Sequence, residues 1–366
     1  MSKIICIDAR MWGVKNTGIG RYVEELIENL PDDPQVKIVL IVPPDLEDEP
    51  KLSKFGKVYA RYRPYTIRAQ FEILYLLIKI KPDLLHVPHF TIPVFWPGKM
   101  IVTIHDLIKH LSVGPSASTH SPIIYWIKYY LYLILIWFVA SRVDHILAPA
   151  KYWKDALIKK YNLTTGKISV TYEGVSKLFS DERNVDVSYK LKKPYIIYVG
   201  NLYPHKNVPL LLDALSRLKN VNLVIVCARN VFRERFEKMV KDKKLEQRTK
   251  FLNNVPDDTL ANIYKNSVAF VTPSLIEGFG LPGLEAMAVG TPVIAAKASC
   301  LPEIYEDAAL FFDPYNAKEL SEKIKLFLNS EKMHEKYIKR GFEQVKKYSW
   351  QKMASQTWQI YLKELQ

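Results

Sequence analysis

Cysteine is scarce: Cys6, Cys227 and Cys300 are the only three in 366 residues, far apart and without C-x-x-C or a histidine at metal-ligand spacing. That excludes a disulfide framework and a zinc module, and fits a reducing compartment. Glycine is low as well, 14 against 22 prolines, and there is no fixed-period repeat. Collagen-like and low-complexity chains are thereby excluded. Nothing reads as a membrane-spanning helix: the apolar run Tyr129–Ser141 has 13 residues between Lys128 and Arg142, whereas a span needs about 20. The run is read as a helix packed in a core, with a lipid-touching surface as the alternative. Met1–Arg10 reads at once as a strand, without the charged, apolar, small-residue progression of a signal peptide. A cytoplasmic location is therefore expected.

What is present is material for buried cores. Hydrophobic residues make up 48%, aromatic residues 12% and charged residues 25% of the chain, and the length suggests two domains. The formal charge is +14. Residues 1–178 carry 23 basic and 16 acidic side chains, and the rest carry 29 and 22, so each part holds +7. So even an excess argues against a dedicated nucleic-acid face, and no nucleic-acid-binding module is recognisable. It favours a general attraction to phosphorylated ligands or an anionic membrane.

Short β-branched runs alternate with helix-period stretches, the pattern of βαβ units and parallel sheets. Strands are expected at Lys3–Asp8, Val36–Val42, Asp83–Val87, Met100–Ile104, His145–Ala148 and Ile168–Tyr172, with helices at Gly20–Leu30, Ile67–Ile80, Pro122–Ala140 and Ala150–Tyr161. Ser176–Lys193 is polar and aperiodic and reads as a linker. After it the alternation resumes, with strands at Tyr195–Gly200, Val221–Cys227, Thr249–Leu252, Val268–Pro273, Pro292–Ala296 and Ala309–Phe312. The expected fold is α/β, with two doubly wound Rossmann-like domains, residues 1–178 and 179–348. The last stretch, 349–366, places Trp350, Ala354, Trp358 and Tyr361 on one helical face behind a possible Ser349 cap. It is expected to cross back to the first domain.

Ligands of open parallel sheets bind at the carboxyl ends of strands, and four places there carry chemistry. Asn16-Thr17-Gly18-Ile19-Gly20-Arg21 follows the first strand; its two glycines allow a phosphate close to a helix N-terminus or simply make a tight turn. It matches neither the dinucleotide fingerprint nor the phosphate loop, since Val23 and Ile19 stand at the decisive positions. His105 ends a strand and is followed by Asp106, suiting a sugar hydroxyl, a phosphate or a structural role; His86 and His89 are read as structural. Val199–Asn207 follows the first strand of the second domain and puts Lys206 at a helix start, where a cation is unfavourable unless an anion meets it. Finally, Pro273–Ile294 contains Glu277 and Glu285, eight positions apart, around a Gly-rich turn, Gly278-Phe279-Gly280-Leu281, and a helix.

This last run resembles the E-x7-E signature of retaining glycosyltransferases of family 4, the glycosyl transferases group 1. The glycine loop, His105, the Gly200–Lys206 turn and the terminal helix follow in that family's order over nearly the whole chain. The resemblance implies the GT-B fold, two Rossmann-like domains facing a cleft. It implies that Glu277 contacts hydroxyls of the transferred sugar, that Glu285 holds the ribose, and that backbone amides of Gly278, Phe279, Gly280 and Leu281 meet the sugar or diphosphate. Lys206 matches the diphosphate clamp, His105 the residue near the anomeric region, and Gly18 and Gly20 the backbone approach to the phosphates. Asn201 departs from the pattern, since many relatives have Arg there, leaving His205 or another basic residue to compensate.

By the same resemblance the donor is a nucleotide sugar acting as substrate, GDP-mannose as first choice, with no resident cofactor and no metal. The chain has no D-x-D triplet, the acidic motif of metal-dependent transferases of the other main fold. The acceptor is a glycan or polyprenyl-diphosphate-linked glycan of bacterial surface-polysaccharide assembly. Lys51–Phe71 holds Lys51, Lys54, Lys57, Arg61, Arg63 and Arg68 and no acidic residue, which together with the apolar run suggests a first domain at the inner, anionic face of the plasma membrane, unless it is a solvated face. The competing readings are a nucleotide-sugar epimerase of the same fold and a membrane-associated scaffold without activity.

Overall fold

The computed structural model describes residues 2–13, 17–115, 118, 121–179, 189–227 and 232–366. The chain divides into two compact units, one of Met1–Leu107, Ile127–Gly174 and Ser349–Gln366, the other of Ile108–Trp126 and Val175–Tyr348. Of the linker expected at Ser176–Lys193, residues 180–188 lie outside the described residues.

The first unit is built on a seven-stranded parallel sheet. Its strands are β1 Lys3–Asp8, β2 Val36–Val42, β3 Gly56–Tyr59, β4 Leu84–Val87, β5 Met100–Thr103, β6 His145–Ala148 and β7 Ile168–Val170. They lie in the order β3-β2-β1-β4-β5-β6-β7. The buried runs of Ile, Val and Leu in β1, β4, β5 and β6 are what a sheet covered on both faces requires. The sequence reading missed β3. Four residues of a half-exposed edge strand, one of them glycine, carry neither a hydrophobic run nor a long alternation.

The helices in this half of the chain are α1 Thr17–Glu28, α2 Ile67–Ile80, α3 Ile108–Leu111, α4 Pro122–Arg142 and α5 Lys151–Tyr161, of which α3 and the start of α4, up to Trp126, belong to the second unit. Strand order moves one way through α1 and the opposite way through α2, α4 and α5. Right-handed crossovers therefore put α2, α4 and α5 on one face of the sheet and α1 on the other.

The second unit has a six-stranded parallel sheet of β8 Tyr195–Val199, β9 Asn222–Val226, β10 Thr249–Leu252, β11 Ala269–Thr272, β12 Val293–Ala296 and β13 Ala309–Phe312. The order is β10-β9-β8-β11-β12-β13. Its helices are α6 Pro209–Ser216, α7 Arg233–Asp242, α8 Asp257–Lys265, α9 Leu281–Ala288, α10 Leu301–Tyr305, α11 Ala317–Asn329 and α12 Glu331–Val345. One contiguous core runs from Ile196 and Tyr198 through Leu211, Leu215 and Ile225 to Phe327.

The last helix, α13 Trp350–Glu364, is part of the first unit. The Ser349 hydroxyl caps it by accepting from the Lys352 amide, 3.3 Å. Trp350, Ala354, Trp358 and Tyr361 are all buried. Trp350 meets Tyr22 of α1 edge-on, 6.4 Å between ring centroids. Gly174 is needed for this approach: a Cβ there would stand 2.2 Å from the Trp350 amide nitrogen.

The reading of the apolar run as a core helix does not hold. α4 has 21 residues, and only 22% of its most apolar stretch is buried. Tyr132, Ile136, Val139 and Ala140 face inward, while Ile127, Tyr130, Ile134 and Trp137 are exposed. Periodicity could not reveal this, because both faces of the helix are apolar.

Candidate functional site

In the second unit, strand order reverses between β8 and β11, which pair in parallel with Ile196 beside Ala269. The segments leaving their carboxyl ends therefore start side by side, at the position where open α/β sheets hold ligands. One segment carries Gly200–Lys206, the other Pro273–Glu277. The Leu275 amide donates to the His205 carbonyl, 2.8 Å, tying the two together.

This link brings Lys206 onto Glu277. The ammonium donates to Glu277 Oε2 at 2.7 Å, with both side chains more than four-fifths buried. Lys206 closes a short 3₁₀ turn, Pro204–Lys206, just ahead of α6 rather than inside the first turn of that helix. Burial alone would raise the Glu277 carboxyl. The Lys206 ammonium and the Ser274 hydroxyl outweigh burial and hold it below its ordinary value.

Sequence reasoning missed Ser299, Cys300 and Tyr305, which fix the Glu277 turn from the next strand over, β12. The Glu277 amide donates to Ser299 Oγ, 3.0 Å. The Cys300 thiol points at the carbonyls of Glu277, Gly278 and Phe279 at 3.2, 3.4 and 3.5 Å. Burial and the Glu277 charge push this thiol well up, so it stays protonated and donates. The Tyr305 hydroxyl donates to the Gly280 carbonyl at 2.6 Å. Gly280 caps α9 in the left-handed region at φ +105°, where glycine is favoured. Tyr305 fills the space that a side chain would need: a Cβ on Gly280 or Gly283 would come within 2.6 and 2.3 Å of its hydroxyl. Leu281 opens α9, and Glu285 lies buried one turn further on.

Gly200 has φ +149°, and Asn201 follows it, its carbonyl accepting from the Tyr198 hydroxyl at 2.7 Å. The Asn201 side chain has no hydrogen-bond partner among the described residues. His205 does not replace the missing arginine charge. Burial, with the adjacent Lys206, pushes its imidazole down to about 4, so it is neutral at pH 7.

The candidates of the first unit sit at the ends of β1, β5 and β7. Gly18 and Gly20 lie in the first turn of α1; Asn16 is outside the described residues. Two residues on, Tyr22 places its ring edge on His105, 4.7 Å between centroids. His105 Nε2 faces the Pro88 carbonyl at 3.0 Å, and Nδ1 faces the buried Glu173 carboxylate at 3.4 Å. A carbonyl only accepts, so Nε2 carries a hydrogen. Glu173, just past β7, was missed; an acidic residue at the carboxyl end of a strand was its available signal. Asp8, the last residue of β1, and Arg10 just past it were missed too, and form a buried bidentate pair at 2.6 and 2.8 Å. His86 is held between Thr103 Oγ1, 2.9 Å, and the Tyr361 hydroxyl.

Comparison with known proteins covers both units. Residues 180–344 match the family described as glycosyl transferases group 1, and residues 16–177 that described as glycosyltransferase family 4. The chain is 31% identical to the O-antigen chain mannosyltransferase RfbU of Salmonella typhimurium over 73% of its own length and 71% of that protein's. It is 27% identical to O-antigen chain mannosyltransferase B of Escherichia coli over 94% and 96%. Among solved structures it resembles sucrose-phosphate synthase from Thermosynechococcus elongatus, with TM-score 0.78, 19% identity and 99% of each chain covered. HepE of Anabaena, solved with UDP and glucose, gives TM-score 0.76 at 15% identity, again over 99% of each chain.

Proposed function

Since the chain belongs to the glycosyl transferases group 1 and glycosyltransferase family 4, with the two Rossmann-like units of a GT-B transferase, we propose that it moves mannose from GDP-mannose, with retention of anomeric configuration and without a metal, to a glycan or polyprenyl-diphosphate-linked acceptor. The two O-antigen mannosyltransferases it resembles support the sugar and the class of acceptor. The observation that carries the reading is the Lys206–Glu277 pair beside the N-terminus of α9, at the switch point of the second sheet.

Breaking a sugar–diphosphate bond builds negative charge on the leaving group and positive charge at the anomeric carbon. Donors already in place for that charge are the main source of acceleration. Lys206 supplies a fixed cation for the diphosphate, and the α9 N-terminus adds the positive end of a helix dipole. Glu277 receives hydroxyls of the sugar, with the backbone of Gly278, Phe279, Gly280 and Leu281 around it, and Glu285 the ribose. In this reading Lys206 exchanges its carboxylate partner for phosphate oxygens as donor binds. Gly18, Gly20 and His105 serve the donor from the first unit, and Asn201 contributes a neutral amide in place of a second cation. The nucleotide sugar is consumed as substrate, at the cytoplasmic face of an anionic membrane.

The test supplies labelled GDP-mannose, UDP-glucose and ADP-glucose to the purified chain with and without a polyprenyl-diphosphate glycan. Transfer from GDP-mannose that needs acceptor and is lost in Glu277→Ala supports the reading. An isomerised nucleotide sugar without acceptor would make the chain an epimerase, and neither product nor nucleotide binding would make it a scaffold.

A further inference from the structure

The outer layer of the first unit breaks the usual rule for surface helices, which turn polar residues to solvent. On α2 the buried stripe is Ala69, Ile73 and Leu77. The opposite stripe, at the same helical spacing, is Ile67, Phe71, Tyr75 and Ile78, exposed by 80, 62, 55 and 56%. On α4 the outward residues Ile127, Tyr130, Leu131, Ile134 and Trp137 are each exposed by 57% or more. Right-handed crossovers put both helices on one face of the sheet.

The loop at 88–98 connects them. Gln70 of α2 donates to the Ile92 carbonyl at 3.1 Å and accepts from the Val94 amide at 3.0 Å. Phe71 stacks on Phe95, itself 62% exposed. On the other side, Phe90 meets Tyr132 of α4 edge-on at 5.4 Å, and the Arg142 guanidinium donates to the carbonyls of Trp96, Pro97 and Gly98. The exposed apolar side chains of α2, α4 and Phe95 thus lie on one side of the unit, where a solvated face carries such residues only singly.

Its rim is cationic. Of the six basic residues expected to form a patch, three are committed elsewhere: Lys51 to Glu24 and Glu28, Lys54 to Asp32, and Lys57 to the Glu47 carbonyl. Arg61, Arg63 and Arg68 remain, exposed and without a carboxylate partner among the described residues. Lys79, Lys81 and Lys128 are exposed as well. Glu72, the one acidic side chain of α2, accepts from the amides of Arg61 and Tyr62. α4 has none.

We propose that the exposed face of α2 and α4, with Phe95 between them, embeds in an anionic bilayer, α4 lying in the plane of the interface. This deepens the reading of a membrane-linked acceptor and rests on it for its purpose. Apolar stems enter about 5–10 Å, to the boundary of headgroups and acyl chains. Trp137 and Tyr130 suit that depth, having apolar bodies and polar tips, while the arginines meet lipid phosphates. α4 does not span, because its inner stripe is built into the unit and β6 follows it back into the same sheet as β5. A second copy fits worse as the occupant. A two-fold contact would bring the unpaired arginines of both copies to one rim with no carboxylate to receive them.

The test is co-sedimentation of the full chain, without donor, with vesicles of phosphatidylglycerol and phosphatidylcholine in equal parts and of phosphatidylcholine alone. Binding to the anionic vesicles, weakened by salt and released by alkaline carbonate, is expected. The variant Ile127→Ser/Ile134→Ser/Trp137→Ser, altered only at exposed positions, should lose about tenfold or more in partitioning. In the unaltered chain, brominated lipid should quench tryptophan emission, a readout that needs no variant. Absent quenching, full binding by the triple variant, retention through carbonate, or a dimer that the variant disperses would each overturn the proposal. GDP binding by the triple variant should match the parent. Its absence from the parent would count against the transferase reading and leave the vesicle result standing.

Discussion

Lys206 Nζ lies 2.7 Å from Glu277 Oε2, a cation and an anion brought together from the ends of two strands that share a sheet but stand 71 residues apart. The ammonium holds the Glu277 carboxyl below its ordinary value although both side chains are more than four-fifths buried. Replacing Lys206 with Met leaves the carboxylate buried without its cation, so the Glu277 carboxyl should rise. Nucleotide-sugar turnover is expected to fall by about 10²–10³-fold, the size of effect seen when a preorganised electrostatic group is deleted. The fold should lose about 1–3 kcal/mol, less than a fully buried pair because both side chains keep some exposure. Calorimetric GDP binding and denaturant unfolding of the same variant separate the two effects.

Gly283 and Gly280 share one neighbour, and the neighbour decides which change can be rescued. A Cβ on Gly283 would stand 2.3 Å from the Tyr305 hydroxyl oxygen and 2.4 Å from the ring carbon that bears it. Gly283→Ala should therefore cost about 1–3 kcal/mol, the usual range for overpacking. Tyr305→Phe in the same chain should not restore it, since the ring carbon remains. Thermal unfolding of the two single variants and the double variant checks this, and full recovery in the double would refute the packing account.

Much of this architecture is legible in sequence because parallel strands buried on both faces are dense in Val, Ile and Leu. β1, β2 and β6 fall where that density starts and stops. The Glu277–Glu285 helix and the Lys206 turn are legible through their glycines and prolines. Ser299, Cys300 and Tyr305 are not: they reach the Glu277 turn through strand order, and nothing local distinguishes them from other residues after a strand. Glu173 offers only the weak signal of a carboxylate just past a strand. The exposed side of α4 is illegible for another reason: an apolar residue turned to solvent and one turned to the core look the same in a sequence.

Glu173 should act through His105 rather than on the donor itself. The carboxylate faces Nδ1 at 3.4 Å while the Pro88 carbonyl holds Nε2 at 3.0 Å, so the two together fix the ring plane. Glu173→Gln is expected to lower kcat about tenfold with KM for the nucleotide sugar nearly unchanged, and Glu173→Asp to recover part of the loss. The double variant with His105→Ala should be no worse than His105→Ala alone, because residues acting as one unit are not additive. Independent, multiplying losses would separate Glu173 from His105.

His86 gives the first unit an acid-sensitive lock. Burial, then the neighbouring His105, pushes its imidazole down to about 3, and its two nitrogens are spent on Thr103 and on Tyr361 of α13. An unfolded chain binds a proton at this position below its ordinary value of 6.5, and the folded unit does not until near pH 3. Between those limits the unfolded state holds more protons, so stability falls as pH falls, by about 1.4 kcal/mol per pH unit from this residue. Above 6.5 its contribution is flat. His86→Gln should lose about 1–3 kcal/mol at neutral pH through the two hydrogen bonds and, more tellingly, should flatten the decline between pH 6.5 and 4 by that slope. Six of the seven tryptophans belong to this unit, so denaturant titrations followed by tryptophan emission report on it. An unchanged slope in the variant would move the acid sensitivity to His145, which burial pushes down to about 4 at the start of β6.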